Sequence, residues 1–262
     1  MVVASASLVV CLGIIAQAGP PGAGSLTSGW TISAGAESQS VRDISRGGPP
    51  VDASPVAWRG SGPSFSIGYE RGARRRLHRV TLDLSQVGSF AYVGPVQRVD
   101  ASGEDGLRRV EGRYEYRRYP FDDLLMKGLH AGVGVQGIGR HISFTRRASS
   151  FGLQHNSETS AAVAVVAAAR VDRWSRWTAD VEWVNGISAN RASESLDVDA
   201  LADRQRWGGG WLTDLSARFT FRVAPALALT VAYLRADEGT MVSSNSSATA
   251  RRRVIAGVTY AR

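Results

Sequence analysis

The stretch Val110-Glu111-Gly112-Arg113-Tyr114-Glu115-Tyr116-Arg117 changes character at every second residue. In a β-strand successive side chains point to opposite faces. As a strand the segment has one face of Val110, Gly112, Tyr114 and Tyr116 and another of Glu111, Arg113, Glu115 and Arg117. A helix would scatter both sets around its circumference. The same period of two recurs on either side. Upstream it covers Trp30 to Ala36, Phe65 to Tyr69 and Val80 to Leu84. Downstream it covers Leu129 to Val135, Val163 to Ala167, Trp177 to Trp183, Trp211 to Phe221, Leu227 to Tyr233 and Val254 to Tyr260. These segments predict ten strands within a range of 8–12. Ser160 to Arg170 is alanine-rich, and alanine favours helix. It is assigned to a strand because its flanks hold no helix-length amphipathic pattern and an even strand count needs it.

The gaps between segments alternate in length. Residues 38–57, 90–107, 144–158, 186–210 and 236–252 read as long polar loops, whereas 71–76, 118–128, 171–176 and 223–226 read as shorter turns. Long loops alternating with short turns, on an even strand count, is the arrangement of an antiparallel up-and-down transmembrane β-barrel. Both termini then lie at the periplasmic end with the turns, and the loops lie outside the cell.

Composition agrees. The chain has 262 residues, 44% hydrophobic, with 31 Lys+Arg against 23 Asp+Glu. After residue 18 no apolar run approaches the ~20 residues of a spanning helix; the longest is Ala161 to Ala169. The net charge of +8 does not point to nucleic acid, because the arginines are scattered and alternate with acids. Val2 to Ala18 is small and apolar, and Ala16-Gln17-Ala18 supplies a small-x-small cleavage pattern. Residues 1–18 are therefore assigned as a signal peptide, 19–27 as a short periplasmic segment and 28–262 as the barrel. Cleavage near Ala18 removes Cys11, the only cysteine, and with it any disulfide.

Alternation alone does not say which face is buried. A soluble β-sandwich or lipocalin-like barrel would bury the apolar face. Several patterns run to ten residues or more, close to the ~9–11 of a tilted membrane strand. Aromatic residues stand near segment ends (Trp30, Trp58, Tyr69, Tyr116, Trp177, Trp183, Trp211, Phe221, Tyr233 and Tyr260), as interfacial girdles require. The polar face mixes small residues with opposite charges, which suits a narrow lumen.

Arg118-Tyr119-Pro120-Phe121, followed by the Gly-alternating Leu129 to Val135, resembles a hairpin of the small bacterial outer-membrane β-barrels, the OmpA-type and porin-like class. The aromatic-containing last strand, Val254 to Tyr260, is similar to their assembly signal, although the chain ends Tyr260-Ala261-Arg262. The resemblance implies a Gram-negative outer-membrane location and contact with outer-membrane lipid and lipopolysaccharide. It also implies insertion by the barrel assembly machinery.

Under this reading the lumen collects Glu37, Glu70, Asp83, Glu111, Glu115, Asp180, Glu182 and Asp214 with Arg113, Arg117, Arg140, Arg218 and Arg222. Buried charges need partners, so arginines such as Arg113 and Arg117 are expected to pair with carboxylates on adjacent strands and plug a barrel of this width. The resulting expectation is a cofactor-free envelope structural or surface-interaction protein, with a narrow small-solute pore as the alternative. A further alternative is a hydrolase. His141 and Ser143, with Glu158 across the next loop, resemble the His-x-Ser of outer-membrane lipid A deacylases, although Phe144 stands where that family has Asn. His can take the Ser proton when a carboxylate orients it, but the parity of Glu158 opposes that of the apolar positions on its strand. His78, His130, His141 and His155 form no ligand pair, so no metal is expected. Trp207-Gly208-Gly209-Gly210-Trp211 lacks the helix of a phosphate loop. Asp197, Asp199 and Asp203 read as solvated loop charge rather than a Ca²⁺ site or an omptin-like protease.

Overall fold

The alternating segments become ten antiparallel strands: β1 Thr27–Ser45, β2 Val56–Ala73, β3 Arg76–Val93, β4 Gly106–Asp122, β5 Leu129–Ala148, β6 Gly152–Trp174, β7 Trp177–Leu196, β8 Arg204–Ala224, β9 Leu227–Val242 and β10 Asn245–Ala261. The computed structural model describes residues 27–45, 56–73, 75–93, 106–122, 128–148, 152–174, 176–196, 204–242 and 245–261. The signal-peptide assignment, residues 19–26 and Asp197, Asp199 and Asp203 lie outside them, as does the side chain of Trp58.

Each strand pairs with its sequence neighbours, and β1 also pairs with β10, so the sheet closes on itself and leaves no edge. Following partners across the barrel from Thr31 leads through Gly68, Thr81, Arg113, Ile138, Ala162, Ser188, Gly210, Thr240 and Ser247. The path returns to β1 at Asp43, 12 residues beyond its start. For ten strands that stagger corresponds to a tilt of about 40°.

The alanine-rich segment is a strand, the 23-residue β6. Its inward Ala162, Ala164 and Ala168 leave room for long side chains opposite. With Ile138, Val166, Val184 and Leu212 these alanines make one wall of the lumen apolar.

Three of the five long loops expected from the sequence need correction. Most of each of these gaps is strand: β5 runs to Ala148 and β6 resumes at Gly152, β7 runs to Leu196 and β8 resumes at Arg204, and β9 reaches Val242 before β10 starts at Asn245. Strands of 16–23 residues at about 3.3 Å per residue and this tilt climb roughly 40–60 Å. An apolar band is only about 25 Å tall, so much of the wall lies beyond it. There the strict apolar–polar alternation of the sequence fades, although the ladder continues.

Candidate functional site

The wall is inverted relative to a soluble protein. The outward Val133, Val163 and Val231 are 57%, 65% and 52% exposed, whereas the three largest fully buried side chains are Arg109, Arg117 and Arg251. Outward side chains are apolar along β3 (Val80, Leu82, Leu84), β5 (Val133, Val135), β6 (Val163, Val165) and β9 (Leu229, Val231).

The inward charges form two interlocked clusters. Nearer the end where β1 begins, β10 ends and the short turns lie, the Arg79 guanidinium donates to Glu70 at 3.0 Å and to Glu182 at 2.6 Å. Arg117 pairs with Glu115 on its own strand and reaches Glu182 at 3.0 Å. Arg170 joins Asp180 at 2.9 Å and Glu70 at 3.4 Å, and Arg218 also meets Glu70. Tyr119 stacks beneath, its hydroxyl accepting from Arg117 at 2.8 Å and its ring 5.8 Å and 5.9 Å from the Arg117 and Arg170 guanidiniums. Gly132 lies against this ring, where a Cβ would come within 2.8 Å of it. The Gly-alternating hairpin therefore has a packing reason.

Toward the far end, Arg140 donates to Glu111 at 2.9 Å and also holds Glu238, while Arg113 spans Glu111 at 2.6 Å and Asp214 at 2.8 Å. Arg251 lies 3.5 Å from Glu111 and 3.9 Å from Glu37. Arg109 lies 3.6 Å from Glu238, and Arg253 joins Asp83 at 2.8 Å. Between the clusters is a cavity of about 90 Å³ lined by Ser66, Asp83, Gln136, Ser216 and Arg253. The clusters thus hold nine carboxylates and nine guanidiniums together.

Twelve of the lumen residues expected from the sequence face inward in these clusters. Arg222 does not join them: it is exposed at the end of β8, where the wall opens, and its backbone N–H bonds the Arg176 carbonyl at 2.8 Å. Arg113 and Arg117 find carboxylates on their own strand and across the lumen on β8 and β7, rather than on adjacent strands. Sequence reading missed Arg79, Arg109, Arg170, Glu238, Arg251 and Arg253. Parity continued past the apolar core would have found them, since Arg109 and Arg253 alternate with Val110 and Val254.

The hydrolase set does not assemble. His141 and Ser143 face outward, whereas Glu158, paired in register with Ile142, has inward parity. His141 instead pairs its Nδ1 with the Thr159 hydroxyl at 3.1 Å. A carboxylate on the opposite face of a sheet cannot orient the imidazole.

Aromatic residues ring the turn end. Trp30 meets Tyr69 at 4.9 Å between centroids and lies in register with Tyr260, and Trp177 meets Phe221 at 4.2 Å. Tyr116 stacks on His78 at 5.0 Å. Trp211 stands toward the far end. Trp183 and Tyr233, expected at a margin, lie within the apolar band, opposite Ala167 and Leu215, and Ala217 and Val254, respectively.

This inverted barrel with a charged interior defines the fold class: a closed antiparallel ten-stranded β-barrel, which resembles the small outer-membrane barrels. No family model matches the sequence, and no curated protein matches it. Among solved structures it is similar to the outer membrane protease OmpT from Escherichia coli, with 9% identity over 94% of this chain and 99% of that one and a TM-score of 0.56. Other matches are Neisserial surface protein A (12% identity, 88% and 96% covered, TM-score 0.36) and the Pseudomonas putida toluene transporter TodX (6% identity, 89% of each chain, TM-score 0.33). At these identities the likeness is one of fold, and fold does not select an activity.

Proposed function

We propose that this chain is an outer-membrane protein, exported by its N-terminal segment, whose lumen is closed and whose role is structural or surface-interacting. The observation that carries this reading is the lumen itself. Charges from across the barrel neutralise one another in two tiers, and the described space between them is a cavity of about 90 Å³. Pairing of this kind compensates the several kcal/mol that each buried ion would otherwise cost. The outward apolar band and turn-end aromatics suit a bilayer of about 25 Å hydrocarbon. Lipopolysaccharide contact and assembly by the barrel machinery follow from that location.

Planar-bilayer recording of the full chain tests the closed lumen. Silent bilayers are expected, and steady conductance comparable to a general porin would replace this reading with the solute-pore alternative. Membrane fractionation with N-terminal sequencing tests export, with cleavage expected after Ala18.

A further inference from the structure

Among the described residues the outward apolar band is interrupted at Arg108 on β4, beside an apolar groove, and by an arginine pair on β9 and β10. On β9 the outward series Leu229, Val231, Tyr233 continues to Arg235 and Asp237, and on β10 the series Val258, Ala256, Val254 continues to Arg252. Arg235 and Arg252 are register partners on neighbouring strands, and Arg235 is still flanked by the apolar Leu215 of β8. Arg252 stands eight residues past the girdle residue Tyr260, roughly 20 Å along the axis and therefore inside a band about 25 Å tall.

Like charges directly opposite on a sheet repel, and an arginine facing lipid is costly. The protein supplies one counter-charge, Asp237, which accepts from Arg235 at 3.1 Å. Arg252 is exposed and makes no ion pair among the described residues. The patch therefore retains an unbalanced cation beside the hydrocarbon. Long arginine stems carry their guanidiniums toward the membrane surface, where lipid phosphates lie.

Beside the patch, on the turn-end side, the outer wall is concave. Ile32, Ala34, Phe65, Leu84, Val110 and Ala256 line an apolar groove of about 780 Å³, within the ~300–1,000 Å³ of small-molecule sites. Ala256 lies two outward positions below Arg252 on the same strand. A phosphate on the arginine pair would place its acyl chains over this groove.

We propose that Arg235 and Arg252 bind a phosphate of a lipid A-type glycolipid in the outer leaflet, with the groove holding acyl chain. The inference rests on the outer-membrane reading above. The test uses the full chain refolded into phosphatidylcholine vesicles, with and without bisphosphorylated lipid A, and follows the unfolding midpoint and the lipid A retained per protein by native mass spectrometry. Lipid A should raise the midpoint, and dephosphorylated lipid A or inorganic phosphate should not. Arg235→Gln/Arg252→Gln should lose the rise and retain at least tenfold less lipid A, while folding at least as well as wild type in phosphatidylcholine alone. Ala34→Phe should weaken retention with the arginines intact, and Arg191→Gln should change nothing. Equal retention by the double variant, or an equal rise with inorganic phosphate, overturns the site. Failure of the wild type to insert into any vesicle overturns the membrane reading beneath it, an outcome distinct from insertion without a lipid A response.

Discussion

Single residues show where space or charge is the limiting quantity. Gly112 and Gly139 are partners on the outward face, and a Cβ at either meets nothing within 4 Å. Gly139→Ala should therefore stabilise by about 0.4–1 kcal/mol, because the unfolded chain loses freedom at no cost to the fold. Gly134 is the opposite case: its Cβ would run into the Tyr116 backbone carbonyl. Gly134→Ala should cost about 1–3 kcal/mol by overpacking. Urea unfolding in vesicles separates the two, and equal effects would contradict the assigned faces. The same assay tests charge. Arg113 bridges Glu111 and Asp214 across the lumen, so Arg113→Met leaves the buried Asp214 without its ion-pair partner and should cost about 3–5 kcal/mol. Arg191→Met should stay within about 0.5 kcal/mol, because Arg191 is exposed and stacks on Trp207.

At the scale of the strand, the decisive quantity is which face meets lipid. Val133 and Val181 are outward and exposed, so Val133→Arg and Val181→Arg should each cost about 2–4 kcal/mol if near the midplane, and Val→Ala at either site much less. Arginine variants that insert as stably as wild type would reverse the faces. The strand cores were legible in the sequence because only there does an apolar face oppose a polar one. Val110 to Arg117 shows both at once. Strand ends were not legible: on β9 the outward series passes from Tyr233 to Arg235 and Asp237 while Glu238 faces inward, and a ladder polar on both sides has the composition of a loop. That is why Glu238 and Arg251, assigned to a loop by composition, stand instead on strands inside the barrel. Ion-pair partners across the lumen were also hidden. Arg113 and Asp214 are 101 residues apart and meet only through closure, which parity along one strand does not encode.

At the scale of the molecule, closure depends on two tiers acting in series. The turn-end tier is centred on Glu70, Arg79, Arg117 and Glu182 above Tyr119, and the far tier on Glu111, Arg140, Glu238 and Arg251. Ions crossing the lumen must pass both, so disrupting one leaves the other closed. Arg113→Met removes one bridge of the far tier and should lower stability without opening a steady conductance. Arg117→Met, which also frees the Tyr119 ring, should behave likewise. Arg113→Met and Arg117→Met combined loosen both tiers, and small cations should then pass, because removing two of the nine guanidiniums leaves the clusters with an excess of carboxylate and the lumen negative. The check is single-channel recording of all three variants in planar bilayers, with reversal potentials under a salt gradient. Cation-selective conductance confined to the double variant is the expected result. Full conductance from either single variant would mean that one tier alone closes the barrel.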